Sequence, residues 1–522
     1  MRYRNPIISG FYPDPSVINY KGHYFLVCSS FQYNPGVPLF ESDDLVNWKL
    51  IGHVLTRKSQ LKLKGIRSSG GIFAPSIREH NGRFYMITND NSADSNFYVW
   101  TDDIYGEWSD PVYVEQKGID PSLFFDDDGR CYLQSNGTDV ESGKGVVIQS
   151  EIDIATGKRL SDEKVLWAGT GGRYIESPHL YKIGEYYYLM AAEGGTEYGH
   201  MITYARSSSV WGSFEGYAGN PVLTNRNKAP YIIQGCGHGD LVKDVDGRWF
   251  VICLGFRQIG EWMPYHHLGR EVFMAPVDFD DEGWFRAGAD GTMDEYYTVP
   301  DTWNKMTDPD INDNIEYTFS NTRPGVEWCF LRDYSEDNYE LDPERFVLTG
   351  TAVSLDDVGS PTFIAMRQRE FVMDLKVSVE FRSFEPDVCD EDQPSYGETG
   401  ITLYMSENEH YELAISDKGC NGRKAVLKLR VGDACCVSNE VELPEDVTKC
   451  RLMVSSDNYR YYFSIDNGDA AGIKELGSAQ TRYLSSEVSG GFTGVMTGLY
   501  AVGNVKAEFT DYTCRYTRNV IT

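Results

Sequence analysis

The stretch DPSVINYKGHYFLVCSS, residues 14–30, has the pattern of a β-hairpin: a polar opening, a short apolar strand, a glycine turn and an aromatic-rich second strand. Four further stretches align with it in the same register. They are APSIREHNGRFYMITND (74–90), DPSLFFDDDGRCYLQSNG (120–137), SPHLYKIGEYYYLMAAEG (177–194) and HGDLVKDVDGRWFVICLG (238–255). The hairpins recur about every 50 to 60 residues, which is the span of a four-stranded propeller blade. The repeat therefore predicts a five-bladed β-propeller over residues 1–300.

Two further patterns predict how the blades are completed. A Trp-containing motif follows three of the hairpins, at 41–52, 101–112 and 205–216, and we expect it to form outer strands. MAPVDFDDEGWF (274–285) would end the fifth blade, and NPIISG (5–10) could pair with it to close the ring.

The second half of the chain has a different organisation. The repeat stops near residue 300, and a polar, Asp-rich segment over 301–317 is typical of a linker. Beyond it, short runs of alternating apolar residues recur at regular spacing, as in a β-sandwich. We therefore predict an all-β protein: a five-bladed β-propeller catalytic domain (1–300), a linker (301–317) and a jelly-roll-like β-sandwich accessory domain (318–522).

The overall charge restricts the partners. The 522 residues include 48 Lys plus Arg and 78 Asp plus Glu, which gives a formal net charge of −30. Such a field repels phosphate backbones and anionic lipid, so we expect neither nucleic acid nor a membrane as partner.

The ends and the cysteines predict the compartment. The opening MRYRNPIISG has no apolar core of a secretory signal, and no apolar run approaches the roughly 18 residues that span a bilayer. Eleven cysteines form an odd set, and several lie inside strand-like apolar runs. We expect a reducing cytoplasm.

The first strand of each blade lines the axis of a propeller, so the register brings several acids together. Asp14, Asp120 and His238 open three of these strands, and Glu176 precedes Ser177 in a fourth. Carboxylates gathered out of bulk water raise at least one pKa, which is typical of a functional site. A calcium-type site, or solvated turn residues that never meet, are the alternatives.

Asp14 lies between two prolines, Pro13 and Pro15. Proline disfavours the helical conformation of the residue before it and favours an extended one, so we expect an extended backbone at Asp14.

Carboxyl pairs of this kind suit the hydrolysis of glycosidic bonds, in which one group protonates the leaving oxygen and the other activates water or attacks. A third acid can raise the pKa of the proton donor. The G-x-S-x-G, H-E-x-x-H and G-x-x-x-x-G-K-[ST] signatures of competing chemistries do not occur in the sequence.

A family resemblance rests on several motifs in order: NPIISGFYPDPSV, GGIFAPSIR, GIDPSLFFDDDG, GTGGRYIESPHLYKIGEYYYLMAAEGGTEYGH and HHLGREVFMAPV. Together they closely resemble glycoside hydrolase family 43, which includes β-xylosidases and α-L-arabinofuranosidases. The resemblance implies a five-bladed propeller and inversion of the anomeric configuration. It implies Asp14 as general base, Glu176 as general acid, and Asp120 as the residue that orients the acid and tunes its pKa. Inversion predicts that the Asp14 and Glu176 carboxyls stand roughly 6.5–9.5 Å apart.

The same resemblance implies substrate contacts. Arg270 in LGREVF matches a sugar-binding arginine, with a structural salt bridge as the alternative. Phe31 and Phe73 match aromatic wall positions, with core packing as the alternative. The stretch SGGFTGVMTGLYAVG (489–503) resembles the family's C-terminal sandwich, one loop of which narrows the pocket, and Phe492 is the candidate for that role.

The histidine at the axis raises the question of a metal. His238 matches a residue that lies under the active site in this family and in many members meets a calcium ion largely through water. We expect no required cofactor. A structural Ca²⁺ at the propeller axis near His238 is left open beside a purely structural, hydrogen-bonded role.

These observations predict an exo-acting, inverting glycoside hydrolase that removes terminal α-L-arabinofuranose or β-D-xylose from hemicellulose oligosaccharides such as arabinoxylan fragments and xylo-oligosaccharides. A strict xylan 1,4-β-xylosidase is the alternative within this class, and a non-catalytic carbohydrate-binding propeller is the alternative from another class. The partners would be plant cell-wall oligosaccharides. The sequence leaves open whether the chain forms a homo-oligomer.

Overall fold

The computed structural model describes residues 2–260, 262–298, 314–382, 396–417, 422–444, 446–470 and 472–518. The linker was predicted over residues 301–317. Residues 301–313 lie outside the described part of the chain, and residues 314–317 belong to a strand that begins at Asn314. The structure is built almost wholly of β-strands, and no helix in the described residues is long and apolar enough to cross a membrane.

Five four-stranded antiparallel sheets make up the first half, each in sequence order from the axis outward, as predicted. Blade one comprises β2 (Ser16–Tyr20), β3 (His23–Val27), β5 (Gly36–Ser42) and β6 (Lys49–Leu55). Two short strands of this region, β1 (Arg2–Arg4) and β4 (Tyr33–Asn34), belong to other sheets. Blade two comprises β7 (Ser76–His80), β8 (Arg83–Asp90), β9 (Ser95–Thr101) and β10 (Val112–Val114). Blade three comprises β11 (Ser122–Phe125), β12 (Cys131–Thr138), β13 (Gly145–Ile152) and β14 (Lys164–Trp167). Blade four comprises β15 (Glu176–Ile183), β16 (Tyr186–Glu193), β17 (Met201–Ser207) and β18 (Glu215–Gly216). Blade five comprises β19 (Ile233–Lys243), β20 (Trp249–Arg257), β21 (Glu271–Phe279) and β22 (Phe285–Ala287).

The five predicted hairpins form the first two strands of the five blades. The Trp-containing motifs were expected to be outer strands. Each includes the end of the third strand of its blade, the turn that follows and the start of the fourth strand, and its tryptophan lies in the turn. In blade one the indole of Trp48 donates to the carbonyl of Leu45 across this turn, at 2.8 Å. A tryptophan therefore closes the turn rather than extending the strand.

The ring closes through the N-terminal segment. Ile8 forms an antiparallel bridge with Val272 of β21, as the sequence predicts. β1 pairs with β23 (Tyr296–Thr298) next to this contact. Aliphatic and aromatic side chains from these strands and from the first, fourth and fifth blades form one buried cluster, so the closure is held by packing as well as by backbone bonds.

The second half is a sandwich of two eight-stranded sheets. One sheet contains β24 (Asn314–Thr318), β26 (Tyr339–Leu341), β27 (Arg345–Thr349), β29 (Val372–Arg382), β34 (Lys449–Ser456), β35 (Arg460–Asp466), β36 (Lys474–Gln480) and β38 (Lys506–Thr517). The other contains β25 (Cys329–Leu331), β28 (Thr362–Arg367), β30 (Gly397–Tyr404), β31 (Glu409–Asp417), β32 (Arg423–Val431), β33 (Ala434–Leu443), β37 (Met496–Gly503) and β4. Short 3₁₀ turns lie at Phe319–Asn321, Glu336–Asn338 and Thr481–Leu484, and one short helix, α1, spans Ser486–Ser489.

The two halves share a sheet and a buried ion-pair group. β4 belongs to the propeller half, yet it pairs with β25 of the sandwich, Tyr33 opposite Leu331. Arg257 of β20 contacts Glu271 at 2.7 Å and Glu370 of the sandwich at 2.5 Å, and all three side chains are buried. The sandwich is therefore fixed against the face of the propeller that carries the candidate site.

Candidate active site

The residues that open the axial strands share an unusual backbone conformation. Asp14, Asp120, Ser177 and His238 have φ values of 57°, 54°, 53° and 48°. The expectation of an extended backbone at Asp14 is therefore wrong: proline disfavours the right-handed helical region before it, and this chain uses the left-handed region instead. Aspartate tolerates that region better than most residues. The strained conformation occurs near the start of the axial strand in blades one, three and four, whereas His238 lies inside β19 at a register shift rather than opening the strand as expected.

One cavity at the axis, of about 90 Å³, brings together all eight residues that the sequence singled out. Its lining consists of Asp14, Phe31, Phe73, Asp120, Glu176, His238, Arg270 and Phe492, with Ala74, Ile119, Thr196 and His200. The lining comes from all five blades and from the sandwich. Solvated turn residues that never meet are thereby excluded.

Asp14 is held as an ionised acceptor. Its side chain accepts hydrogen bonds from Ser29 Oγ at 2.5 Å and from Arg270 Nη1 at 2.8 Å. Burial by itself would raise the pKa of Asp14, but the Arg270 charge, His238 and the Ser29 hydroxyl outweigh it and lower the pKa below its usual value. A carboxylate with a low pKa is available to accept a proton at any pH above the acid range.

Glu176 has the opposite electrostatic character. Burial, followed by repulsion from the Asp14 charge, raises its pKa to about 7, against smaller opposing effects of Arg270 and Arg173. Glu176 therefore keeps its proton over much of the neutral range and can donate it. Two carboxyls with pKa values driven apart by their surroundings are the arrangement that acid–base catalysis needs.

Asp120 connects these two groups. Burial and then the charges of Glu176 and Asp14 raise its pKa well above the usual value. Its Oδ2 accepts the backbone N–H of Ser177 at 3.0 Å, next in sequence to Glu176. Asp120 thus contacts the segment that carries Glu176, and repulsion from the Glu176 charge acts on the pKa of Asp120; its role in orienting and tuning Glu176 stays a prediction.

Arg270 and three phenylalanines form the remaining walls. Arg270 forms the salt bridge expected as the alternative, with Asp14, and it also lines the cavity; its contact with a sugar stays a prediction. Phe492 stacks on Phe31 with ring centroids 5.9 Å apart and meets Phe73 edge-on at 5.9 Å. Its carbonyl accepts from Arg270 Nη2 at 3.4 Å, so the sandwich loop closes one side of the cavity.

His238 lies beneath the carboxyls. Its Nδ1 is 3.6 Å from Asp14 Oδ1 and 3.8 Å from Asp120 Oδ2. Burial lowers the pKa of His238, against the opposing effect of the Asp14 charge. No three His, Cys, Asp or Glu side chains of the described residues converge as a metal site, so a single imidazole does not make a direct calcium site here.

A larger pocket of about 520 Å³ adjoins the cavity and shares Glu176, Thr196, Arg270 and Phe492 with it. Its outer part is lined by both halves of the chain: Arg173, Tyr174, Gly195, Glu197, Tyr198, His266, Ser486, Glu487, Gly490 and Gly491. Glu487 of helix α1 accepts from Tyr198 at 2.9 Å and contacts His266 Nδ1 at 2.8 Å. The narrow cavity therefore opens into a wide one at the proton donor.

Several residues of the site were not predicted from the sequence. Ser29 is the second donor to Asp14, Thr196 accepts from Arg270 Nη1 at 2.8 Å, and His200 lines the cavity with its Nδ1 3.0 Å from the carbonyl of Gly235. Thr196 and His200 lie in the motif GGTEYGH, which carried the resemblance but was assigned no role. Ser29 follows an apolar strand and carries no local signal of its own.

The geometry as a whole places a carboxyl of lowered pKa, Asp14, and a carboxyl of raised pKa, Glu176, on the lining of one cavity. The separation of 6.5–9.5 Å between the two carboxyls stays a prediction.

Comparison with known families agrees with this geometry. Residues 3–285 match the model of glycosyl hydrolases family 43, and residues 316–514 match the beta xylosidase C-terminal concanavalin A-like domain. The first match covers the propeller and the second covers the sandwich.

Similar proteins of known name extend over nearly the whole chain. A non-reducing end alpha-L-arabinofuranosidase, BoGH43B of Bacteroides ovatus, is 39% identical over 517 residues, 97% of this chain and 92% of that protein. A xylosidase/arabinosidase of Butyrivibrio fibrisolvens is 35% identical and covers 98% of each chain. A beta-xylosidase of Bacillus subtilis is 30% identical and covers 96% of each chain.

Solved structures give the same result. The Bacteroides ovatus xyloglucan PUL GH43B structure superposes with a TM-score of 0.88 at 36% identity, over 99% of this chain and 100% of that chain. The xylan beta-1,4-xylosidase from Bacillus halodurans C-125 also superposes with a TM-score of 0.88, at 28% identity, over 98% of this chain and 100% of that chain.

Proposed function

Because the chain belongs to glycosyl hydrolase family 43, we propose that it removes single terminal pentoses from hemicellulose oligosaccharides with inversion of configuration. The observation that carries this proposal is the cavity of about 90 Å³ at the propeller axis, in which Asp14 has a lowered pKa and Glu176 one of about 7. Phe492 narrows the cavity, which favours one sugar ring at a chain end over an internal stretch of chain.

The reaction uses the two carboxyls in one step. Asp14 removes a proton from a water molecule, whose oxygen attacks the anomeric carbon from one face of the sugar. The bond from that carbon to the glycosidic oxygen breaks on the opposite face, and Glu176 gives its proton to the departing oxygen. Asp120 orients Glu176, and the forked donors of Arg270 suit sugar hydroxyls. No step requires a cofactor.

The sugar released is the finer question. We propose α-L-arabinofuranose as the first substrate, since the Bacteroides ovatus relative is named a non-reducing end alpha-L-arabinofuranosidase. β-D-Xylose is the second candidate, favoured by the match of residues 316–514 to a beta xylosidase C-terminal domain. The wide outer pocket would hold the leaving part of the oligosaccharide, which is larger than the sugar released.

We also propose that the enzyme acts in a reducing cytoplasm on fragments that have been taken up. The nine cysteines in the described residues are all free, including the adjacent exposed pair Cys435 and Cys436 on β33. Neighbouring exposed thiols are stable where thiols are kept reduced.

Hydrolysis of phenyl α-L-arabinofuranoside and phenyl β-D-xyloside, whose leaving phenoxide needs a proton, by the wild type and by Glu176→Gln tests the proposal. Loss of the proton donor should slow the cleaved substrate by at least a hundredfold, because general acid catalysis contributes that much. If neither glycoside is cleaved faster by the wild type than by Glu176→Gln, the propeller is a non-catalytic sugar-binding domain. The ratio of the two wild-type rates assigns the preferred pentose.

A further inference from the structure

Glu193, at the end of β16, is a buried carboxyl side chain that the acid–base pair does not use. It is 1% exposed. Its Oε1 accepts the backbone N–H of Thr170 at 2.8 Å, and its Oε2 accepts the backbone N–H of Gly172 at 2.7 Å. The hydroxyl of Thr203 donates to Oε1 at 2.8 Å and fixes the carboxyl from the other side. Both oxygens of Glu193 are therefore engaged by one loop.

The loop is shaped around this carboxyl. A Cβ atom at Gly169 would lie 2.8 Å from Oε1 of Glu193, and one at Gly172 would lie 2.7 Å from Oε2. Contacts that short do not occur in stable packing, so only glycine lets the backbone approach this closely. Gly169 also has a φ of +71°, which favours glycine. The sequence GTGG at 169–172 thus wraps the Glu193 side chain.

The loop leads directly to the proton donor. Glu176 follows Gly172 by four residues and stands at the first position of β15, before a register shift in its pairing with β16. The segment after the glycines has its own anchors: Gly194 N–H donates to the carbonyl of Arg173 at 2.6 Å, and Asn136 Nδ2 donates to the carbonyl of Ile175 at 2.7 Å. Glu193 binds the earlier part of the loop, at Thr170 and Gly172, which these two anchors do not contact.

We propose that Glu193 is a positioning residue for the general acid: through the amides of Thr170 and Gly172 it holds the loop that sets the place of the Glu176 carboxyl. This rests on the proposed function, in which Glu176 is the proton donor. The requirement is geometric, because a displacement of about 1 Å in a catalytic group can cost a hundredfold in rate.

The replacement Glu193→Gln tests the proposal with little change in shape. An amide keeps one accepting oxygen but places an NH₂ group against the backbone N–H of Thr170 or of Gly172, so one hydrogen bond is replaced by two opposed donors. The loop shifts while the blade remains folded. Thr203→Val is a milder variant that leaves Glu193 in place but removes the hydroxyl that orients it.

The measurement compares kcat/KM for phenyl and 2,4-dinitrophenyl glycosides of the pentose that the wild type prefers. Phenoxide must be protonated as it leaves, whereas dinitrophenolate leaves without a proton, so only the first substrate depends on the general acid. Glu193→Gln should lose about ten- to a hundredfold on the phenyl glycoside and several-fold or less on the dinitrophenyl glycoside. Thr203→Val should also lose kcat/KM mainly on the phenyl glycoside, but by a smaller factor than Glu193→Gln.

Glu176→Gln is the reference variant, because it tests the role of Glu176 as general acid separately from the role of Glu193 as a positioning residue. If Glu176→Gln does not discriminate between the two substrates, its role as general acid fails. If Glu176→Gln discriminates but Glu193→Gln slows both substrates equally, or neither, Glu193 has only a structural role and the inference is overturned.

Asp126→Asn is a matched control. Asp126 is another buried carboxyl, directly after β11 of blade three. It accepts from the hydroxyl of Tyr187 at 2.8 Å, near the start of β16, whereas Glu193 lies at the end of that strand. Its replacement should change thermal stability without changing the ratio of the two kcat/KM values.

Discussion

At the scale of single residues, the electrostatics of Asp14 and Glu176 predict a broad plateau of activity on the acid side of neutrality. The base must be ionised, so kcat/KM falls as the pH drops through the lowered pKa of Asp14. The acid must be protonated, so kcat/KM falls as the pH rises through about 7, the pKa of Glu176. We expect the basic limb near pH 7 and the acidic limb below the usual range for aspartate.

Ser29→Ala should move one limb of this profile alone. The Ser29 hydroxyl donates to Asp14 Oδ2 and stabilises the charged form, so its loss raises the Asp14 pKa. The acidic limb should shift upward by roughly one pH unit. Ser30→Ala is the control, because that neighbouring hydroxyl accepts the N–H of Val37. An acidic limb that stays in place in Ser29→Ala would show that Asp14 does not set it.

Asp14, Asp120 and Glu176 could be recognised because each lies in a motif at the start of a repeated hairpin. The backbone conformation of Asp14 could not be derived in the same way. The rule for residues before proline favours extended geometry, and the left-handed turn is stabilised by long-range contacts with Ser29 and Arg270, which is 256 positions away. Ser29, Thr196 and His200 were missed because only the folded ring brings them to the cavity.

At the scale of elements, the segment after helix α1 carries the wall that the sandwich contributes to the cavity. Phe492 packs on Phe31 and Phe73, and its backbone N–H donates to Ser69 Oγ of the propeller half at 2.8 Å. The position of this segment depends on contacts between the two halves, which the hydrophobic pattern of either half does not encode.

Phe492→Ala should therefore weaken binding of the terminal sugar. The aromatic contact is worth about 1–2 kcal/mol, so kcat/KM should fall roughly tenfold with most of the change in KM. Val488→Ala, at an exposed position of the preceding helix α1, is the control. An unchanged KM in Phe492→Ala would mean that the sandwich loop does not contact the substrate.

The blades themselves were predictable because the hairpin pattern repeats five times with the same strand register. The connections were less so, since the Trp-containing motifs have strand-like composition but form turns closed by side-chain hydrogen bonds. In blade one such a hydrogen bond, from Trp48 to Leu45, holds the segment as a turn although its composition favours a strand.

At the scale of the whole molecule, a buried ion-pair group and a shared sheet join the propeller to the sandwich, so we expect the two halves to unfold together. The buried carboxyl of Glu370 contacts Arg257 of the propeller, which also pairs with Glu271. Glu370→Gln leaves the arginine partly uncompensated in the interface, and breaking a buried pair costs about 3–5 kcal/mol. We expect a single thermal transition in the wild type, shifted several degrees lower in the variant.

Asp102→Asn is the control for that measurement, because its partner Arg83 and Asp102 itself are exposed. Two separate transitions in the wild type, with only one of them shifted by Glu370→Gln, would show that the halves unfold independently. The joint sheet formed by β4 and β25 could not be predicted, since a two-residue strand carries no periodic signal.

The central claim, that Asp14 and Glu176 act on opposite faces of a single sugar, is tested most directly by following the anomer released. Proton NMR of the first product from the preferred pentoside, recorded before mutarotation, should show the anomer opposite to that of the substrate. Release of the same anomer would mean a covalent intermediate and would contradict the assignment of Asp14 as a base.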